Sequence, residues 1–222
     1  MPRTNRSAVT GWPHHVVLRG NNRRRLFSYA SDYLRLLAYL VKALERVPCQ
    51  VHALVLMANH MHLLLTPLAD EALSRFVKAF AQRYAQYRNR TRGGSGKLFE
   101  QRFYAQPIEN DAHFGCTLAY IELNPPRAGR VAAPSEYRYS TYHLHADDGV
   151  AKWAATLDGI WTPSSWYLDL SDDPARRRTH YTRWVRDCRE RDRRPDHHAD
   201  LERLEAVSRG PRLRRPDGSS AR

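Results

Sequence analysis

His60 and His62 stand two residues apart in VHALVLMANHMHLLL (residues 51–65), an otherwise apolar run. Strand side chains alternate between faces, so on a strand both imidazoles point one way and Met61 and Leu63 the other. Two imidazoles on one face can share a divalent ion when a third group approaches from elsewhere. The simpler reading is a pair of partly buried strand histidines satisfied by neighbours, and the rest of the chain must decide. Tyr120-Ile121-Glu122-Leu123-Asn124 is the second stretch with chemistry in it. Positions i and i+4 of a helix share a face about one turn apart, so Tyr120 and Asn124 look the same way. A phenol, with a free pKa of about 10, is a poor nucleophile at neutral pH. It becomes useful where a metal polarises the electrophile and stabilises the developing charge. Asn124 offers a hard amide oxygen, a fitting third ligand for a Mg²⁺ or Mn²⁺ ion held by two imidazoles. Open positions on that ion would take phosphate oxygens, as phosphodiester chemistry requires. Taken alone, Tyr120 reads as a core tyrosine and Asn124 as the last residue of a helix.

The elements that must hold these groups follow a regular order. Residues 1–12 are polar and basic, a flexible arm. His14–Arg19 reads as a strand ending at the turn Gly20-Asn21-Asn22, with Arg23-Arg24-Arg25 next, either a phosphate clamp or a solvated basic loop. Ser31 and Asp32 can cap a helix carrying Leu36, Leu37, Leu40, Val41 and Leu44 at helical spacing, stopped near Val47-Pro48. Ala58-Asn59 splits the apolar run into two short strands, the second bearing the histidines. A helix from about Asp70 to Arg90 buries Leu73, Phe76, Val77, Phe80 and Tyr84. Its outer face holds Arg75, Lys78, Arg83, Arg88 and Arg90, a basic stripe suited to a phosphate backbone. The glycine-rich residues 91–97 lack Walker A spacing and read as a mobile linker. Phe99–Pro107 gives a short strand with Arg102 on it, and Asn110 or Asp111 starts the tyrosine helix, which Pro125-Pro126 must end. β-α-β-β-α-β followed by a helix is the ferredoxin-like split βαβ pattern of the α+β class. It predicts an antiparallel four-stranded sheet with two helices on one face and the first and third strands at its centre. The histidine strand is the third, so the site would sit on the most rigid part of the fold.

After Arg130, residues 131–170 hold many tyrosines and tryptophans between Pro and Asp breaks. They predict short helices and loops packed on the domain, some aromatics free to stack on bases. Asp173-Pro174-Ala175 then opens an arginine-rich helix to about Arg194. The chain thus divides into an arm (1–12), a catalytic domain (13–145), a mostly helical basic extension (146–194) and a basic, disorder-prone tail (195–222). The net charge of +13 points to a polyanion, nucleic acid first. Only four of the 36 basic residues are lysines, and arginine's planar fork suits phosphates and guanine edges, although genomic GC content would enrich it too. Three cysteines without a CxxC pair argue against a disulfide scaffold or zinc ribbon. With no signal-peptide pattern and no apolar run of membrane-spanning length, a cytoplasmic, nucleoid-associated protein is expected.

Three blocks in this order, VVLRGNNRRRLF, ALVLMANHMHLLLTP and YIELNPPRAGRV, closely resemble the REP-associated tyrosine transposases, IS200/IS605-like Y1 transposases of the HUH endonuclease superfamily. HxH alone is a weak signal and YIxxNPxRAG a moderate one; together the blocks are specific, over roughly residues 10 to 145. The resemblance implies cleavage and transfer of single-stranded DNA at hairpins. By it, Tyr120 is the catalytic tyrosine, His60 and His62 are the HUH pair, and Asn124 is the third metal position. Gly20, Asn21, Asn22 and Arg23 match a block near the DNA. Arg19, Arg24, Arg25, Arg83, Lys97, Arg102 and Arg127 complete the expected DNA-contacting set. IS200-type relatives often exchange the tyrosine helix in a dimer, whereas REP-associated members look monomeric, and a monomer is expected. Ala58 stands where the family commonly has proline, and Pro126 where it has valine. The doubled proline bears on where the helix ends and so on the aim of Asn124. A non-cleaving binder of hairpin repeats descended from a transposase, and an unrelated phosphodiesterase using bound water, are the competing expectations.

Overall fold

In the computed structural model, which describes residues 8–100, 102–146, 157 and 159–192, strands β1 (His14–Arg19), β2 (Cys49–Met57), β3 (His60–Pro67) and β4 (Tyr104–Pro107) form one sheet. All pairs are antiparallel and the order is β2-β3-β1-β4, so the histidine strand is central, as the split βαβ pattern predicts. The break at Ala58-Asn59 is the β2–β3 turn, with Met57 opposite His60.

Each sheet face has its own core. Val16, Leu18, Leu56, Met61 and Leu63 meet helices α1 (Ala30–Leu44) and α2 (Ala72–Arg92) through Leu36, Leu40, Phe76 and Phe80. On the other face Ala53, Val55 and Leu64 meet helix α3 (Asp111–Glu122) through Leu118 and Ile121. A strand covered on both sides has no solvated face, which is why residues 51–65 read as a continuous apolar run and not as an alternation. After α3 come α4 (Asn124–Arg127), α5 (Tyr142–His145), α6 (Ser165–Leu168) and α7 (Pro174–Asp192). Helix α7 joins the second core through Tyr181 and Val185, so the arginine-rich segment forms part of a third layer.

Several boundaries differ from expectation for identifiable reasons. Asp32 does cap α1, accepting the N–H groups of Ser28 and Tyr29 at 2.8 and 3.1 Å, but the helix already begins at Ala30. The same carboxylate is fully buried and pairs with Arg88 at 3.2 Å and Arg92 at 3.3 Å. Arg88 therefore belongs to the α1–α2 interior and not to a basic outer stripe. Helix α2 starts at Ala72 because Glu71 takes a left-handed conformation (φ 59°). Strand β4 begins only at Tyr104, so Arg102 precedes it. Pro125-Pro126 do not end the helical course: after Leu123 (φ −84°, ψ −5°) they fall in the first turn of α4, where a missing N–H costs nothing. The described aromatics of the 131–170 segment are mostly built into the protein. Tyr142 and Tyr167 are buried, Tyr137 donates to the Leu56 carbonyl at 2.6 Å, and Tyr139 stacks on Tyr33 at 3.9 Å. Trp153, most of the expected basic arm (1–7) and the tail (195–222) lie outside the described residues.

Candidate active site

The two imidazoles share a face, with ring centroids 5.0 Å apart and planes at 83°. Helix α3 starts where the sequence predicts, its first turn capped by Asn110, whose Oδ1 accepts the His113 N–H at 2.9 Å. Burial of Leu118 and Ile121 fixes the helix rotation and leaves Tyr120 half-buried at the rim of the second core. Its ring stands edge-on to His62, 6.0 Å between centroids. A phenol from a helix and two imidazoles from the central strand therefore meet within one chain.

The ring nitrogens are not equivalent. His60 Nδ1 lies 2.8 Å from Asn59 Oδ1, an atom that can only accept, so Nδ1 carries the proton and Nε2 the lone pair. His62 Nδ1 lies 2.9 Å from His15 Nε2, while His62 Nε2 is buried with no hydrogen-bond partner. An unpartnered buried nitrogen costs about 1–3 kcal/mol, which fits a group awaiting a ligand. This nitrogen and the lone pair on His60 Nε2 together suit a divalent metal. Among the described residues no three His, Cys, Asp or Glu cluster as a metal site, so a third protein ligand would be an amide or hydroxyl oxygen. Asn124 is tied to its own helix, Nδ2 donating to the Tyr120 carbonyl at 2.9 Å and, longer, to Ile121 at 3.4 Å. Proline at 125 and 126 removes the backbone donors that would cap this turn, and the Asn124 amide replaces one of them. That bond commits the N–H side inward and leaves Oδ1 as the atom Asn124 can present. Among the described residues no hydrogen bond joins Asn124 to either imidazole.

Burial lowers the pKa of His60 and, well below its ordinary value, of His62, with the Arg19 charge adding to both. His15, buried beside His113, falls to about 4. His14, His52 and His113 shift the same way, again chiefly through burial. Neutral imidazole is the ligating form. A histidine held neutral by the fold stabilises it above the unfolded pKa, and that contribution is lost as pH falls through the folded value. The Tm without added metal is therefore expected to hold down to about pH 6.5 and to drop progressively toward pH 4; a Tm unchanged across that window would contradict the assignment.

Of the expected DNA-contacting residues, Arg19 is the cross-strand partner of His60 and shares its face. Gly20 donates its N–H to Asn59 O at 2.8 Å and Asn21 to Leu98 O at 2.9 Å, while Leu26 reaches Ala58 O. The loop is thus clasped to the histidine turn, with Asn22 and Arg23 left-handed (φ 51° and 57°) and Arg23, Arg24 and Arg25 exposed. A Cβ on Gly20 would lie 2.1 Å from the Arg24 carbonyl oxygen. Gly20→Ala should therefore displace the loop and cost about 1–3 kcal/mol, the usual range for overpacking. Urea unfolding checks this, an unchanged midpoint being the contrary result. Lys97 is exposed beside Leu98, and Arg102 is exposed ahead of β4. The Arg127 guanidinium lies 4.8 Å over the Tyr120 ring, and its Nη1 reaches the Tyr120 carbonyl at 3.4 Å. Arg83 is not brought to the site. It lines a groove with Tyr39, Tyr87 and Arg90 on the helix layer beyond the opposite face of the sheet. His15 was not anticipated; the available signal was that His15, Val17 and Arg19 alternate on the face of a strand adjacent to the histidine strand.

Residues 8–124 match the model of the IS200-like transposases, and the chain belongs to that family of Y1 transposases. It is 25% identical over 162 residues to the REP-associated tyrosine transposase of Escherichia coli (strain K12), covering 72% of this chain and 87% of that one. It is also 25% identical over 130 residues to a putative REP-associated tyrosine transposase of Haemophilus influenzae (strain ATCC 51907 / DSM 11121 / KW20 / Rd), covering 54% and 74%. Among solved structures it resembles a REP-associated tyrosine transposase bound to a REP hairpin, with a TM-score of 0.57, 22% identity, and coverage of 74% of this chain and 93% of that one. This last likeness shows the shared fold. The family read from the three motif blocks is borne out.

Proposed function

We propose that this protein is a single-stranded DNA endonuclease and strand transferase that acts at DNA hairpins through a covalent 5′-phosphotyrosine at Tyr120. The meeting of the Tyr120 ring with His62 on the face shared with His60 carries this reading. The Tyr120 oxygen attacks the scissile phosphorus, giving up its proton as the O–P bond forms. The bond to the 3′-oxygen breaks, and that oxygen leaves with a proton as a 3′-OH. The covalent link conserves the phosphodiester energy, so a second 3′-OH can reverse the step and join a new strand. His60, His62 and Asn124 would hold Mg²⁺ or Mn²⁺, which supplies neutralisation of the phosphate charge. Arg127 packs on the phenol and keeps the ring at the rim. The clasped loop of Gly20, Asn21 and Asn22, with Arg19, Arg23, Arg24 and Arg25, offers backbone and guanidinium donors to phosphates beside the site; Lys97 and Arg102 extend that surface. Because one chain furnishes both histidines and the tyrosine, a monomer suffices. No described helix is long and apolar enough to cross a membrane.

The test is a denaturing gel of wild-type protein with a labelled hairpin oligonucleotide carrying a single-stranded flank. A DNA-linked protein band with Mn²⁺ or Mg²⁺, lost in EDTA, is expected. Hairpin binding with no adduct under any metal would favour a non-cleaving binder, and cleavage without an adduct would favour hydrolysis by bound water.

A further inference from the structure

Asn59 and His15 do the same thing to the two histidines of the site. Each contacts the Nδ1 of one imidazole, at 2.8 and 2.9 Å, on the side away from its free Nε2. The difference is that Asn59 Oδ1 can only accept, whereas the His15–His62 bond can run either way. With the proton on His15, His62 would carry its own proton on Nε2, a donor buried without an acceptor. With the proton on His62 Nδ1, the buried Nε2 carries a lone pair, the form a metal takes. The His15 ring lies edge to edge with His62 and nearly in its plane (centroids 5.2 Å, planes at 18°), as an in-plane bond between ring nitrogens requires, and Tyr120 flanks it at 5.9 Å. We propose that His15 is a positioning residue for the metal: it accepts the His62 Nδ1–H and so fixes ring orientation and tautomer, presenting Nε2 to the ion. The inference rests on the proposed metal site. It adds an outer partner supplied by β1, which couples metal affinity to the β1–β3 pairing itself. Such partners typically govern metal affinity by about 10–100-fold.

Calorimetric titration of the full chain with Mn²⁺, without DNA, reads this directly. His15→Phe keeps an aromatic ring at this position but has no acceptor, and should weaken Mn²⁺ binding by about 10–100-fold. His15→Gln, whose amide oxygen can accept, should recover most of it. Wild-type binding with His15→Phe within twofold overturns the inference and leaves the metal site standing. Wild type that takes up no Mn²⁺ overturns both. Imidazole ¹⁵N shifts of the metal-free wild type need no variant: His62 protonated at Nδ1 supports the inference, and protonation at Nε2 overturns it.

Discussion

Tyr120→Phe is expected to bind hairpin DNA as the wild type does and to form no covalent adduct, a loss of at least about a thousand-fold in cleavage. The substitution removes one oxygen and leaves the ring. The edge contacts with His15 and His62 and the stacking of Arg127 all involve ring atoms, so the surface offered to DNA is preserved. The proposed chemistry depends on that oxygen alone, because the O–P bond is made there. Binding and cleavage should separate cleanly, measured by mobility shift and by denaturing gel. Equal loss of both would mean that Tyr120 serves affinity. Cleavage that survives would remove it from the reaction.

Glu122→Ala is expected to lower unfolding free energy by about 3–5 kcal/mol, the cost of breaking a buried charged network by removing one partner. Glu122 is completely buried two residues beyond Tyr120. Its carboxylate accepts from Thr141 Oγ1 at 2.8 Å, His145 Nδ1 at 2.9 Å and Tyr181 Oη at 2.6 Å. The Trp161 indole N–H donates to His145 Nε2 at 3.1 Å, so the His145 proton sits on Nδ1 and points at the carboxylate. Burial, then the Glu122 charge, pushes the Tyr181 phenol well above its ordinary value and keeps it a donor. Truncation would strand the His145 and Tyr181 donors, leave Thr141 only its long bond to the Leu54 carbonyl at 3.4 Å, and open a cavity where α3 meets α5 and α7. For a domain whose stability is about 5–15 kcal/mol, that is a large share. Glu122→Gln, which keeps one acceptor, should lose roughly 1–2 kcal/mol. Urea unfolding measures both, and an Ala variant within about 1 kcal/mol of wild type would show that the network does not anchor the tyrosine helix.

What could be read in the chain was what is local. HxH within an apolar run, the Asn59 turn and the Asn110 cap are each set by a few neighbouring residues, and all stand where expected. The strand order followed from the sequence of elements, since split βαβ connections leave few alternatives. What could not be read depends on distant partners. His15 matters only through the β1–β3 register, which sets His15 opposite Leu64 and Val17 opposite His62, and no spacing within β1 fixes that register. Arg88 looked like part of a solvated stripe because its buried partner, Asp32, is 56 residues away. Helix α7 buries only scattered residues such as Tyr181 and Val185 among many arginines, so its periodicity is too weak to announce a third layer. Pro125-Pro126 read as a terminator because proline breaks a helix interior, yet the same residues suit the first turn of a new one.

The most direct measurement is the identity of the residue that carries the DNA. Wild-type protein would be trapped on a hairpin oligonucleotide, digested with nuclease and trypsin, and sequenced by mass spectrometry. The tryptic peptide spanning residues 103–127 contains both Tyr104 and Tyr120, so fragmentation must discriminate between them. A nucleotide remnant on Tyr120 is the expected result. A remnant on Tyr104 or any other residue, or cleaved DNA bearing a free 5′-phosphate and no protein, would contradict it.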